Sequence, residues 1–162
     1  MSNQIVRAQM NKVDAFLNNV VKELDIYLDH HHLAGLLGEK GSKEREYYRS
    51  LLKSLRRLEV ICDEAKDTIG ILLQSEVFRK TAAERTLYGI YHQCIGEFFS
   101  PKGDGWYEDS RAAYTGRHAI LFHNEPPESL RALMIQLEKP FQEIREELEY
   151  YETDYQLKIM KQ

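Results

Sequence analysis

Residues 48–72 read YRSLLKSLRRLEVICDEAKDTIGIL, and the placing of their apolar side chains decides the fold. Tyr48, Leu51, Leu55, Leu58, Cys62, Ala65, Ile69 and Leu72 recur at alternating steps of three and four, which draws one stripe along an α-helix. No other stretch of the chain is as regular. Upstream, Gly35 to Gly41 holds three glycines and suits a turn rather than a helix interior. The helix is therefore expected to start near Ser42, with Arg45 where a capping box would place Glu.

Working outward, Val6, Met10, Val13, Leu17, Val20, Leu24 and Tyr27 repeat the same spacing and predict a first helix over Ile5 to Leu28. His30, His31 and His32 follow it and are placed to meet its last carbonyls. Beyond a break at residues 75–80, Thr81 as N-cap and Glu84 at the capping-box position predict a third helix. It carries Leu87, Ile90, Tyr91, Cys94 and Phe98 inward and ends at Ser100 and Pro101. Pro126 and Pro127 suit the first turn of a last helix that buries Leu130, Leu133, Leu137, Phe141, Ile144, Leu148, Tyr151 and Tyr155. Pro140 inside it predicts a kink near Gln136.

This pattern predicts a mainly α protein, an up-down four-helix bundle forming a single domain over residues 1–162. Residues 100–125 form an insert between helices three and four. Gly103, Asp104 and Gly105 read as a turn. Trp106 to Tyr114 and Ala119 to Phe122 read as a β-hairpin joined through Thr115, Gly116 and Arg117. At ~1.5 Å per residue, helix three spans about 28 Å against roughly 50 Å for helices two and four. One corner of the bundle is left open, and the insert is expected to fill it. The same geometry puts Cys62 and Cys94 in one core layer.

The formal charge of -4 gives no reason to expect a nucleic-acid partner. No run approaches ~18 apolar residues, so no membrane span or membrane partner is expected. The start of the chain lacks the pattern of a secretory signal, and both cysteines lie within apolar helical stripes, so a reducing, cytoplasmic setting is expected. There is no nucleophile elbow, phosphate loop or zinc-ligand spacing, and no Glu-x-x-His pair of the di-iron kind. No catalytic residue, metal or cofactor is expected.

Binding chemistry is densest in the insert. Arg111 and Arg117, with His118 and Tyr114, have the donors to clamp a phosphate or carboxylate, beside Asp109 and the stacking face of Trp106. His92, flanked by Gly89 and Gly96, would sit at the floor of a cleft beneath them, and Arg45 and Arg49 would approach from the start of helix two. The structural alternative has Trp106, Tyr114, Ile120 and Phe122 capping the core. The insert's charges then pair among themselves or with Arg45 and Arg49, and His92 packs against a carbonyl or Glu97.

Charge is also unevenly placed. Lys40 to Arg57 holds seven basic residues and two acids, whereas Glu143 to Asp154 holds six acids and one arginine. Each block opposes the dipole of its helix, an arrangement suited to association with an oppositely charged surface.

The run Tyr88 to Ala119, YGIYHQCIGEFFSPKGDGWYEDSRAAYTGRHA, resembles the YpuI-like family of uncharacterised cytosolic proteins of bacilli. EFFSPKGDGWYEDSRAAYTG is its most specific part. The resemblance implies a Gram-positive, intracellular setting and carries no activity, cofactor or site residue with it. The function expected is therefore a non-enzymatic protein-protein interaction module, its partner another protein or itself, a homodimer being one form. The alternative is binding or hydrolysis of a small anionic metabolite in a cleft formed by the insert, helix three and the start of helix two. Weak nucleic-acid contact through Arg45, Arg49, Lys53, Arg56 and Arg57 ranks third.

Overall fold

The computed structural model describes residues 1–103 and 105–161 of the chain, and these form a mainly α protein with a small two-stranded hairpin. Helix α1 (Asn3–His30) outruns its expected ends. Its start is capped by Ser2, whose Oγ accepts the Ile5 amide at 3.2 Å. His30 and His31 donate their Nδ1–H groups to the carbonyls of Ile26 (2.8 Å) and Tyr27 (2.9 Å), closing the far end. A short helix, α2 (Leu33–Leu37), occupies part of the expected turn and stops at Gly38, whose φ of 54° favours glycine.

Helix α3 (Ser42–Gln74) begins where its stripe predicts, although Gly41 rather than Ser42 is the N-cap. The third helix runs unbroken over residues 80–99 as α4 (Lys80–Gly89), a π-helical stretch (Ile90–Ile95) and α5 (Gly96–Phe99). The expected Thr81–Glu84 cap is corrected. The Ala83 amide bonds to the Arg79 carbonyl, so the helix starts earlier and Glu84 lies inside it. There the Glu84 carboxylate is buried between Lys80 and Lys158, each 3.9 Å away.

Helix α7 (Glu128–Glu147) passes through Pro140, then gives way to a 3₁₀ turn (Glu149–Tyr151) and a short α8 (Asp154–Met160). One continuous helix through Tyr155 is thus not formed. Two side chains take carbonyls at the break: Gln9 bonds to that of Glu147 at 3.4 Å and His92 to that of Tyr151 at 2.9 Å. Leu148, Tyr151 and Tyr155 are buried on both sides of the break.

The helices meet through matched side chains. Phe16 of α1 meets Phe141 of α7 edge-on at 4.9 Å, and Tyr27 bonds to Ser129 at 3.0 Å. Phe98 stacks on Phe141 with centroids 4.0 Å apart. Between α3 and the third helix, Arg57 pairs with Glu97 at 2.9 Å, and the Cys94 thiol points at the Ile61 carbonyl. Cys62 and Cys94 lie together in the core as free thiols. Their hydrogen bond, then burial, holds the Cys62 thiol well above its ordinary pKa.

The insert is a hairpin of β1 (Trp106–Glu108) and β2 (Ile120–Phe122), antiparallel with Tyr107 opposite Leu121. The strands are shorter than expected, and Tyr114 lies in neither. Asp109 accepts the Arg111 amide at 3.0 Å and starts a helical turn, α6 (Ala112–Thr115), closed by Gly116 at φ 69°. Asp104, in the middle of the expected Gly103–Gly105 turn, lies outside the described residues. Among the described residues, no helix is long and apolar enough to cross a membrane.

Candidate functional site

The insert sits against three helices at once, and each contact has a sequence cause. Trp106 is buried, and its indole N–H donates to the Phe98 carbonyl at 2.6 Å. That carbonyl belongs to the last turn of α5 and has no partner within its own helix, so the ring fills space and caps a helix end together. Against α3, the Tyr47 hydroxyl donates to the Gly105 carbonyl at 2.8 Å. A Cβ on Gly103 would stand 2.9 Å from Ser54 Oγ, and one on Gly105 would stand 3.2 Å from Leu51, so the two backbones approach closely because both residues are glycine.

Against α7, Glu138 Oε1 accepts the amides of Ala119 (2.8 Å), just before β2, and of Ile120 (3.0 Å), its first residue. Arg145 reaches β1 by a two-pronged pair with Glu108, at 2.8 and 3.2 Å, while its guanidinium lies 3.6 Å above the Phe99 ring. The hairpin is thus held by a carboxylate on one strand and a guanidinium on the other. Sequence reasoning assigned Glu108 to partners within the insert or on α3, and it missed Glu138 and Arg145. The signal was available: each directly follows an inward position of the last helix, Leu137 and Ile144, so both border the core stripe on the same side.

The candidate residues fall into separate places. Trp106 is core. Asp109 sits at the turn, with Arg111 Nε 3.8 Å from its carboxylate and the rest of the Arg111 side chain in solvent. Tyr114 is 90% exposed rather than capping the core. His118 stands 3.7 Å from Glu138, and Arg117 lies at the rim of a groove of about 410 Å³ between the insert and α7. The walls of that groove carry Glu108, Asp109, Glu138 and Glu146 against Arg117 and Arg145, an excess of negative charge. His92 is elsewhere, bonded to Tyr151 and packed beside Tyr88 and Tyr91. Arg45 and Arg49 are exposed on α3. The insert does meet helix three and the start of α3, but through Trp106, Gly103 and Gly105 in close packing.

What faces outward on the hairpin is apolar. Tyr107 and Leu121, opposite one another across the strands, are 41% and 38% exposed, and His123 packs beside Tyr107 with ring centroids 4.7 Å apart. Among the described residues, no three His, Cys, Asp or Glu side chains converge on a point suited to a metal.

These features define a class: a mainly helical protein whose hairpin insert is locked onto its helices and turns an aromatic face to solvent. Residues 10–157 match the family described as Protein of unknown function (DUF3907), and the chain belongs to it. The chain is 44% identical over 153 residues to Uncharacterized protein YpuI of Bacillus subtilis (strain 168), covering 94% of this chain and 85% of that relative. No solved structure matches.

Proposed function

We propose that this protein is a non-enzymatic interaction module of the bacterial cytoplasm that binds another protein, or itself, through the outer face of its insert. The proposed scaffold is a single domain, an up-down four-helix bundle with residues 100–125 inserted. Antiparallel pairings support it: Gln9 to Glu147 and Tyr27 to Ser129 between α1 and α7, and Arg57 to Glu97 and Ile61 to Cys94 between α3 and the third helix.

One observation carries the functional reading. Glu108 and Asp109 are engaged in holding the hairpin, while Tyr107 and Leu121 remain exposed on a stiff ribbon. Exposed aromatic and aliphatic side chains on a fixed backbone bind at small entropic cost. A groove whose charged lining is four carboxylates against two guanidiniums is a poor receptor for the phosphate or carboxylate of the alternative reading.

The test is capture from a bacillar extract by the immobilised chain, compared with a Tyr107→Ala/Leu121→Ser variant of equal thermal stability. The expected result is a discrete protein retained by the parent and lost with the variant. The same proteins on both surfaces, or a rise in Tm with small phosphorylated or carboxylated metabolites, would reject the reading.

A further inference from the structure

We infer that the basic stripe on the first half of α3 is a docking surface for a second copy of this chain, received through the acidic segment at the end of α7. The inference deepens the interaction reading by naming one partner, and it concerns a different surface from the hairpin face.

Arg45, Arg49, Lys53 and Arg56 follow one another at steps of four, four and three, so their side chains form one row along α3. All four are exposed, and among the described residues none is within ion-pair distance of a carboxylate. Arg57, one step off the row, is the cation of this stretch drawn inward, to Glu97. The row is thus a surface the fold does not neutralise, on a chain whose formal charge is -4.

Its complement is on the same molecule, on another element. Glu143, Glu149, Glu152 and Asp154 are exposed over the end of α7, the 3₁₀ turn and the start of α8, and likewise lack ion-pair partners among the described residues. Glu147 beside them is held by Lys12 near the start of α1. The start of α3 instead packs with α2, beyond the far end of α1. The two patches therefore sit on different elements, and among the described residues neither is paired with the other within one chain.

Length and dipole both favour pairing between copies. Residues 45–56 of α3 span about 16 Å at ~1.5 Å per residue, and residues 143–154 cover a similar distance where helical. Arg45, near the start of α3, and Glu143, near the end of α7, oppose the dipoles of their helices, and along each patch like charges stand close together without a counter-charge among the described residues, so each patch carries an electrostatic penalty. A second copy that brings carboxylates to α3 and cations to α7 relieves both penalties together. A partner of one charge sign relieves only one, which is why a second copy fits better than a nucleic acid.

The experiment is light scattering on the full chain as salt rises from about 20 to about 500 mM, across which screening of exposed charges grows severalfold. Three chains are compared: the parent, Arg45→Glu/Arg49→Glu/Lys53→Glu, and Glu143→Lys/Glu149→Lys/Glu152→Lys. Neutral Gln versions of both triples guard against misfolding, and circular dichroism confirms that each chain is helical. The parent is expected to associate at low salt and weaken at least about tenfold at high salt. Each charge-reversed chain alone should be monomeric, and mixing the two should restore association. A parent that stays monomeric at every salt, or reversed chains that associate as the parent does, overturns the inference. So does a mixture that fails to recover. If association or capture is lost only in Tyr107→Ala/Leu121→Ser, the hairpin-face reading stands and the α3 inference falls.

Discussion

Glu138 and Arg145 stand two turns apart on α7 and grip opposite strands of the hairpin, the first by the Ala119 and Ile120 amides and the second by the Glu108 carboxylate. A ribbon of two three-residue strands is not stable alone in water. Its order therefore derives from this grip and from Trp106 beneath it.

Glu138→Ala removes a charged acceptor from two backbone amides at the start of β2. The expected cost is about 1–3 kcal/mol in urea unfolding, with Glu138→Gln losing less because its amide oxygen still accepts. Equal stability of Ala, Gln and parent would show that the carboxylate does not hold the strand.

Trp106→Phe keeps an apolar ring but leaves the Phe98 carbonyl without its donor and opens space in the core. A loss of about 2–4 kcal/mol is expected. The chain has one tryptophan, so the parent's fluorescence reports on this site alone. Emission should be blue-shifted in the native state and move red in the same transition that melts the helices.

Glu59 gives the fold a pH dependence. Burial, then the hydrogen bond and charge of Asp25 across α1 and α3, raises its pKa from 4.5 to about 7. The folded state then holds this proton more tightly than the unfolded chain. The stabilisation is complete below the unfolded value and is lost as pH rises through the folded one. Glu59→Gln should flatten the stability profile between those values and exceed the parent at pH above about 7, by on the order of 1 kcal/mol once solvent screening is allowed for. A parent whose stability rises across that window would contradict the assignment.

Cys62 and Cys94 should resist a thiol reagent in the native state, since both are buried and the Cys62 thiol is held protonated. Labelling is expected only at the rate of global unfolding, and stoichiometric labelling within seconds under native conditions would exclude the shared core layer.

Much of this was legible in the sequence because helix-period stripes are a local signal. The α3 stripe gave the start of its helix, and the shortness of the third helix, read from Pro101, anticipated that the insert would lie against the core. The apolar character of Trp106 and Ile120 makes both candidate core residues beside the binding alternative, and the structure buries both. The break after Glu147 was hidden, because Leu148, Tyr151 and Tyr155 fit a continuous stripe and the carbonyl partners, Gln9 and His92, are distant in the chain. Tyr114 was misplaced because a hairpin and a helical turn share the same small and turn-forming residues. The choice fell to an Asp109 side-chain bond that spacing does not reveal. The grip of Glu138 and Arg145 likewise depends on which helix lies beside the ribbon, a tertiary fact.

Backbone amide exchange over residues 106–122 tests the central claim most directly, since it reads whether the insert is a fixed part of the fold. The expected result is slow exchange at Ile120, whose amide Glu138 holds, and in the paired strands, with α6 faster and Glu138→Ala releasing Ile120 first. Exchange throughout the ribbon at the rate of an unstructured peptide would contradict it, and with it the binding face that Tyr107 and Leu121 are proposed to form.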